Sequence, residues 1–309
     1  SVKSRGLGDV YKRQIYGGSG FIGAWITKLL LVNNFQITIF DKKINEDLLS
    51  HIIGKNVEKI HIVEGDILEY ETVLKTAKDH SVLINLVGLM TPDCSNNPRL
   101  GNQVNIIGSI NVFEAALEAK CNLVVYTSSG GVYGQKDKIN PFPETHYGAY
   151  KLAVEGIARA YNLENKLNSF GLRPFVVYGP GREIGGTASI SLACKAAAEN
   201  KEYKIKFGGG AGFVYVEDIA SIVLKILESL PDGAKVMNIN GISGTVANIV
   251  EYLNSFTKNK KITYYENSLP IVEEILGNSP TDFFEDFTFT DLKTGLEKTI
   301  YYYKNNLGE

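Results

Sequence analysis

The sequence predicts an α/β protein built on a doubly wound parallel sheet, and two observations carry this prediction. Short apolar runs typical of buried strands alternate with segments whose apolar residues recur at helical spacing. A glycine-rich stretch, GGSGFIG at residues 17–23, stands at the start of the first helical segment. In a doubly wound sheet, ligands bind beyond the carboxyl ends of the strands, so we expect the functional site there.

The periodicity predicts each element in turn. The strand candidates are residues 35–40, 59–63, 82–87, 123–127 and 170–177. The helix candidates are residues 21–32, 69–78, 102–119 and 147–167. After about residue 179 the alternation loosens, and Gly and Pro cluster in YGPGREIGG and FGGGAG. We therefore expect a Rossmann domain over residues 15–178, and a smaller, mainly substrate-binding region over residues 179–309 that is interleaved with it.

The first fourteen residues, SVKSRGLGDVYKRQ, do not fit this pattern. They contain basic residues but no apolar segment of the kind that a secretory signal needs. A strand must lead into the glycine turn, and only Ile15 and Tyr16 are apolar enough to supply it. We expect residues 1–14 to be a non-native leader that replaced the natural first strand.

Composition excludes several classes of protein. With 44% hydrophobic and 21% charged residues in 309, the chain is an ordinary folding polypeptide with enough length for a large core. Its net charge of −2 lacks the basic excess expected of a nucleic-acid or membrane-surface protein, and no apolar run approaches the length of a membrane span. The histidines are scattered, and the odd set of cysteines shows neither metal-ligand nor disulfide spacing: Cys94, Cys121 and Cys194. We expect a soluble cytoplasmic protein without a metal site.

The glycine turn is typical of a dinucleotide site. Gly17, Gly20 and Gly23 permit a tight turn, and the following helix, through Phe21 and Ile22, offers its N-terminal N–H groups to a pyrophosphate. Asp41 follows Gly23 by 18 residues at the end of the next strand, where its carboxylate can accept hydrogen bonds from a ribose. We expect NAD rather than NADP, since this carboxylate repels a 2′-phosphate. The alternative for Asp41 is a helix N-cap.

Two residues of the predicted catalytic helix carry the chemistry. Tyr147 and Lys151 are spaced i, i+4, so they share one helix face, and they follow a strand that ends in VVYTSS. A tyrosine titrates near pH 10, and a nearby ammonium supplies roughly the 4 kcal/mol needed to make it a base near neutrality. Ser129 lies where it can hydrogen-bond the same substrate hydroxyl. The alternative is a packed helix aromatic beside a solvated lysine.

These residues resemble the extended short-chain dehydrogenase/reductase family, which includes NAD-dependent nucleotide-sugar epimerases and dehydratases. The resemblance runs from Gly17 to about Ile219. Its motifs are GGSGFIG, Asp41, GDI at 65–67, NLVG at 85–88, NIIGSINVFEAA from 105, TSSGGVYG from 127, YGAYK from 147, LRPFVVYGPGR from 172 and FVYVEDIA from 213.

The resemblance implies a role for each matching residue. Tyr147 is the general acid/base, Lys151 its electrostatic partner and a ribose ligand, and Ser129 the donor to the substrate hydroxyl. Asp66 and Ile67 line the adenine pocket. The remaining residues implied to lie along NAD are Leu86, Val87, Gly88, Leu89, Asn105 and Phe175.

The departures from the family pattern are also informative. Family dehydratases and decarboxylases place a carboxylate where this chain has Gly130 and Gly131, so dehydration and decarboxylation are disfavoured. An Arg-Asp pair and an Asn usual in sugar-nucleotide enzymes are replaced by Ala211-Gly212 and by Val176, a residue at the substrate position. Arg182 is then the best candidate for a substrate phosphate. Its alternative is a solvated loop charge.

We therefore expect an NAD-dependent, epimerase-like oxidoreductase acting on a sugar or sugar nucleotide. The resemblance also implies a homodimer joined through the helices near residues 102–119 and 147–167. Two alternatives stay open: a dehydrogenase or reductase of a non-nucleotide alcohol, polyol or sugar acid, and a non-catalytic dinucleotide-binding protein.

Overall fold

A computed structural model describes residues 12–135, 137–259, 261–269 and 272–306. The strands are β1 (Lys12–Tyr16), β2 (Gln36–Asp41), β3 (His61–Glu64), β4 (Val82–Asn85), β5 (Leu123–Thr127), β6 (Asn168–Pro174), β7 (Val176–Tyr178), β8 (Tyr203–Ile205), β9 (Gly210–Tyr215), β10 (Ala234–Ile239), β11 (Ile242–Thr245) and β12 (Ile262–Tyr264). The helices are α1 (Phe21–Val32), α2 (Glu46–Ile53), α3 (Tyr70–Ala77), α4 (Thr91–Asn96), α5 (Pro98–Asn102), α6 (Gly108–Glu118), α7 (His146–Asn165), α8 (Ser189–Ala198), α9 (Val216–Ser229), α10 (Val246–Asn254), α11 (Pro280–Phe283) and α12 (Leu292–Asn305).

Within those ranges the main sheet has seven strands, all parallel, in the order β10-β6-β5-β4-β1-β2-β3. Helices α1 and α9 pack on one face and α3, α6 and α7 on the other. Successive strand residues face opposite layers, so Ile15 is buried with α1 and Tyr16 with α3. This arrangement confirms the predicted doubly wound α/β class.

The C-terminal third of the chain contributes to more than one sheet. Strand β10 pairs with β6 and so completes the main sheet. Strands β7, β9 and β11 form a second sheet, and β8 pairs with β12. A separate core under these small sheets is made largely by α8, α10 and α12. The carboxyl end of β6 therefore connects the two layers directly.

Several predicted elements differ from those observed. The strand predicted over residues 170–177 is divided into β6, which pairs with β5 and β10, and β7, which pairs with β9 in the second sheet. The strand predicted over residues 82–87 ends at Asn85, whose side chain accepts a hydrogen bond from the Val87 N–H and so turns the backbone. The helix predicted over residues 102–119 begins instead with a π-type turn, Gln103–Ile107, before α6.

Strand β1 extends further back than the two apolar residues indicated. Residues 1–11, most of the expected leader, lie outside the described residues, whereas Lys12, Arg13 and Gln14 pair in parallel with β2. Arg13 is buried and donates to Ser81 at 2.5 Å. Gln14 is 0% exposed, and neither its amide oxygen nor its amide nitrogen has a hydrogen-bond partner among the described residues. A central strand thus carries an uncompensated polar group.

A buried ion pair joins α7 to the main sheet. Arg173 of β6 donates to both carboxylate oxygens of Glu155 on α7, at 2.7 and 2.5 Å. Ser128, at the end of β5, donates to the same carboxylate at 2.5 Å. Arg173 also donates to the Tyr133 hydroxyl and to the Asn238 side chain of β10. One carboxylate therefore sets the position of the helix relative to the ends of three strands.

None of the described helices is both long enough and apolar enough to cross a lipid bilayer.

Gln14→Leu is expected to raise the free energy of unfolding by about 1–3 kcal/mol, because it removes two buried polar atoms without partners and keeps the side chain close to its size. Denaturant unfolding followed by circular dichroism measures the change. Gln36→Leu, at the exposed end of β2, is the matched control and should leave stability within about 0.5 kcal/mol of the parent. An unchanged midpoint for Gln14→Leu would contradict the prediction.

Candidate active site

A cavity of about 860 Å³ opens at the carboxyl ends of β1, β4 and β5, between the main sheet and the layer of α8 and α12. The predicted site residues that line it are Gly17, Gly20, Phe21, Ile22, Gly23, Leu86, Gly88, Ser129, Tyr147, Lys151, Phe175, Val176 and Arg182. Those outside its lining are Asp41, Asp66, Ile67, Val87, Leu89 and Asn105. The fold therefore brings the glycine turn and the tyrosine-lysine pair, which are far apart in sequence, into one space.

The glycine turn is shaped for close approach of a ligand. Gly17 has a φ of +76°, and its N–H donates to the Phe40 carbonyl at 2.8 Å. A Cβ on Gly23 would lie 2.6 Å from the Gly17 oxygen, so the turn can close only with glycine there. Helix α1 starts at Phe21 with no side-chain cap and no acidic residue in its first turn. Its first N–H groups and its positive dipole end thus face the cavity, as a pyrophosphate site requires.

Asp41 lies at the end of β2, beside this turn. Its carboxylate accepts hydrogen bonds from the Ser19 hydroxyl at 2.8 Å and from the Lys42 N–H at 3.0 Å. Burial raises its pKa, and these hydrogen bonds oppose that effect. The alternative of a helix N-cap is wrong, because α2 starts at Glu46 and Asn45 is its cap. The carboxylate therefore lies next to the glycine turn, where hydrogen bonds from Ser19 and Lys42 hold it.

The predicted adenine-pocket residues are placed differently from one another. Asp66 forms an ion pair with Lys42 at 2.7 Å, and this contact lowers the pKa of the carboxyl. The Lys42 ammonium is thereby held by Asp66, while the Lys42 backbone N–H donates to Asp41. Ile67 is buried against α6, where a Cβ on Gly108 would lie 2.8 Å from it. Ile67 therefore lies in the core behind the cavity and does not line it.

Asn105 lies beneath the cavity floor. Its amide nitrogen donates to the carbonyls of Gly101 and Leu89, and its amide oxygen has no partner among the described residues. A Cβ on Gly88 would lie 2.7 Å from that oxygen and 3.0 Å from the Lys151 nitrogen. Because Gly88 has no side chain, Asn105 and Lys151 can both lie against the backbone that follows β4.

Helix α7 places the tyrosine and the lysine together. Thr145 caps the helix by accepting a hydrogen bond from the Gly148 N–H at 3.0 Å. One turn apart, Tyr147 and Lys151 are 9% and 5% exposed. The Lys151 ammonium donates to the Thr127 carbonyl at 2.9 Å and lies 5.7 Å from the centre of the Tyr147 ring. The alternative of a solvated lysine stem is therefore wrong.

The electrostatics of this pair differ from the expectation. Burial raises the pKa of the Tyr147 phenol, although a hydrogen bond with Ser129 and the charge of Arg182 act to lower it. Burial lowers the pKa of the Lys151 ammonium to about 8. In the ligand-free chain, desolvation thus outweighs the expected effect of the lysine on the phenol. Burial favours the uncharged form of both groups, the neutral phenol and the neutral amine.

Ser129 occupies the start of a tight turn, Gly130–Val132, and its hydroxyl accepts a hydrogen bond from the Gly131 N–H at 3.0 Å. A Cβ on Gly130 would lie 2.6 Å from the Phe175 ring. A side chain at position 130 is therefore blocked by Phe175, whereas a Cβ on Gly131 would meet the Ser129 hydroxyl at 3.3 Å and has more room. The expectation that elimination is disfavoured rests on the glycines at both positions in the sequence.

Arg182 is buried rather than solvated, which overturns the alternative of a loop charge. Its side chain is 9% exposed, and Nη2 donates to the Thr187 hydroxyl at 2.7 Å. The guanidinium carbon lies 5.6 Å from the centre of the Phe21 ring. Burial lowers the pKa of the guanidinium to about 10.

Sequence reasoning missed one wall of the cavity. The missed lining residues from α2, α8 and the end of α12 are Asp47, Leu48, His51, Lys195, Glu199, Tyr302, Tyr303 and Asn306. The Tyr303 hydroxyl accepts a hydrogen bond from the Gly181 N–H at 3.1 Å. The sequence signal for this wall is the run Tyr301–Tyr303, whose rings could stack on a base or a sugar, although aromatic residues at such positions more often belong to a core.

Comparison with known proteins places this geometry in a family. A family model described as "NAD dependent epimerase/dehydratase family" matches residues 14–240. A putative UDP-glucose 4-epimerase from Methanocaldococcus jannaschii is 28% identical over 94% of this chain and 98% of that protein. A decarboxylating sterol-4-alpha-carboxylate 3-dehydrogenase from Candida albicans is 27% identical over 76% of this chain and 69% of that protein.

Solved structures show the same fold. A UDP-N-acetylglucosamine 4-epimerase from Methanobrevibacter ruminantium, in complex with UDP-N-acetylmuramic acid, superposes with a TM-score of 0.82 at 24% identity, covering 96% of this chain and 99% of that one. The UDP-glucose 4-epimerase of Thermotoga maritima gives 0.84 at 22% identity, with 96% and 99% covered. Since the family model spans most of the sequence, this chain belongs to the NAD-dependent epimerase/dehydratase family.

Proposed function

We propose that this protein is an NAD-dependent, epimerase-like oxidoreductase that moves hydride to and from a hydroxyl of a sugar or sugar nucleotide. The observation that carries the proposal is the meeting of Ser129, Tyr147 and Lys151 with the glycine turn of α1 in one cavity. Family membership and the similarity to proteins named UDP-glucose 4-epimerase support it.

The residues present fit NAD. Gly17 and Gly23 form a cradle that any Cβ would fill, and the uncapped start of α1 suits a pyrophosphate. Asp41 is suited to the adenosine ribose and Lys151 to the other ribose. Phe175 and Leu86 line the wall between the turn and Tyr147. When bound, NAD supplies the hydride acceptor and then the hydride donor.

The side chains of this site provide the proton chemistry. The Tyr147 phenolate takes the proton from the substrate hydroxyl while hydride leaves the carbon that bears this hydroxyl. The phenol returns the proton to the oxygen when hydride comes back to that carbon. Ser129 hydrogen-bonds the reacting oxygen and holds it near the Tyr147 hydroxyl. The buried Lys151 charge favours the phenolate over the phenol. Epimerisation requires only that the keto intermediate turn over before hydride returns.

A second candidate is net oxidation or reduction of a non-nucleotide alcohol, and the substrate end of the cavity favours it. Gly212 has no room for the acid of the usual Arg-Asp pair, since a Cβ there would lie 1.9 Å from the Asn240 carbonyl oxygen. Val176 is buried where epimerases of the family carry a polar side chain. Among the relatives, the sterol-carboxylate dehydrogenase is an example of such chemistry by name. A purely dinucleotide-binding protein would have no use for Ser129 and Tyr147 in one cavity.

We also propose a cytoplasmic homodimer. The outward sides of the Gln103–Ile107 turn and α7 expose Ile107 and Leu163, at 44% and 65%. Joining two copies there would cover these side chains. The three cysteines are all free and buried, as is usual in a reducing compartment.

Tyr147→Phe is expected to lower turnover by about 100-fold or more, because the ring is kept and only the proton-transferring hydroxyl is lost. The dissociation constant for NAD, measured by fluorescence titration, should be unchanged. Tyr150→Phe is the control, since the Tyr150 hydroxyl donates to the Pro98 carbonyl and lies outside the cavity. Near-full activity in Tyr147→Phe would refute the catalytic assignment.

The hydride balance separates the two candidate reactions. With UDP-glucose or UDP-galactose as the probe, we expect the epimer to appear by NMR without accumulation of NADH at 340 nm, since hydride returns to the sugar. Stoichiometric NADH from a free alcohol or sugar acid would support the dehydrogenase instead.

Lys151→Met should make the ligand-free protein more stable at pH 7 by roughly 3 kcal/mol, because the lysine pKa is lowered by burial from 10.5 to about 8. Between those pH values the unfolded chain holds a proton that the folded chain lacks, so parent stability rises with pH. The advantage of the variant is therefore full below pH 8 and is lost as the pH approaches 10.5. Unfolding curves at pH 7, 9 and 10 measure it.

The exposed Lys206→Met is the control for this measurement and should change stability little at any of the three pH values. Equal stability of Lys151→Met and the parent at pH 7 would show that the ammonium is not desolvated.

A further inference from the structure

Arg182 presents a buried cation without an acidic partner. Among the described residues it forms no ion pair, and its Nε is buried without a hydrogen-bond acceptor. The neighbouring acid in sequence, Glu183, is paired with Lys195 at 2.7 Å. Burying a guanidinium whose side-chain hydrogen-bond partner is the Thr187 hydroxyl costs free energy. A bound anion would compensate this buried charge.

Two contacts restrain the guanidinium inside the cavity. It lies over the Phe21 ring, and Nη2 is tethered to Thr187. Arg182 and Tyr147 both line the cavity, and each shifts the pKa of the other through its charge. A ligand that reaches the Tyr147 hydroxyl therefore has Arg182 within the span of a small molecule.

The charges lining the cavity favour a ligand with one negative charge at this point. Glu183 is paired with Lys195 and Glu199 with Lys201, at 2.7 Å each, and the other acids of the described lining are Asp47 and Glu144. Arg182 and Lys151 are the remaining lysine or arginine cations of the described lining, and Lys151 is engaged with the Thr127 carbonyl. With the N–H groups at the start of α1 assigned to the NAD pyrophosphate, Arg182 is the charged donor of the described lining that is left for the substrate, and a substrate diphosphate would bring about two charges to this single cation. A carboxylate matches one guanidinium and can accept two parallel hydrogen bonds from it.

We propose that the substrate carries a carboxylate, and that Arg182 binds this carboxylate next to the hydroxyl that Tyr147 deprotonates. The inference rests on the proposed function, since it names the substrate class of the same site. It selects uronic acids and other hydroxy acids, free or attached to a nucleotide, over their neutral counterparts.

Matched acid and neutral ligands test the proposal on the NAD-loaded protein. Isothermal titration compares UDP-glucuronic acid with UDP-glucose, glucuronate with glucose, and galacturonate with galactose. We expect at least one acid to bind about 10-fold or more tightly than its neutral partner, the effect of one charged hydrogen-bonded pair. Arg182→Gln should abolish the difference, and Arg182→Lys should keep part of it, since an ammonium has charge without the planar fork.

The control is Arg159→Gln, which removes an exposed arginine on α7 outside the cavity and should retain the full preference for the acid. The proposal fails if none of the acids is preferred or if the preference survives in Arg182→Gln. It also fails if Arg182→Gln weakens UDP alone, or NAD, as much as it weakens the acid, because the guanidinium then serves a phosphate.

Failure of the proposed function gives a different result. If the acid is preferred through Arg182 but the parent protein transfers no hydride, the binding inference stands and the enzymatic assignment falls. If Tyr147→Phe loses turnover while the acid is not preferred, the reverse holds.

Discussion

The Glu155–Arg173 ion pair is the constraint on which the catalytic geometry depends. It fastens α7 to β6 in a buried setting, and the same carboxylate accepts a hydrogen bond from Ser128. The helix that carries Tyr147 and the loop that carries the neighbouring Ser129 are thus positioned by one group. Loss of either partner of such a pair leaves a buried charge uncompensated, at a cost of about 3–5 kcal/mol. The alignment of hydroxyl and phenol is therefore a property of the core rather than of flexible loops.

Desolvation is the common feature of the ionisable groups at the catalytic end. It raises the pKa of Tyr147 and lowers those of Lys151 and Arg182. The ligand-free cavity therefore holds three groups whose charged forms are all disfavoured. Ligand charge changes this balance in a defined direction: a positive charge near Tyr147 favours the phenolate, and a negative charge near Arg182 favours the guanidinium. Binding and activation are coupled because the same low-dielectric space contains all three.

The sequence predicted the parts of the site that local rules govern. The glycine turn and α1 follow from residues adjacent in sequence, and the i, i+4 spacing of Tyr147 and Lys151 predicted their shared face. The burial of Arg182 was not predictable, because it depends on α1 and the segment after β7 meeting in space. The wall made by α12 was missed for the same reason. Gln14 is a case in which local rules predicted the wrong structure. Its polar side chain argues against a buried strand, but pairing with β2 places it in one.

The glycines that depart from the family pattern are sites of close packing. Gly130 faces the Phe175 ring and Gly212 faces the Asn240 carbonyl, so neither could carry a larger side chain without moving its neighbour. Gly131 is less confined, since a Cβ there would lie 3.3 Å from the Ser129 hydroxyl, so packing excludes an acidic side chain at position 130 but not at position 131. The described cavity lining still brings together one phenol, one hydroxyl and one buried guanidinium, from Tyr147, Ser129 and Arg182. A phenol and a hydroxyl are the groups that reversible hydride transfer at an alcohol carbon needs for its proton, so the proposed reaction requires no further acid at positions 130 and 131.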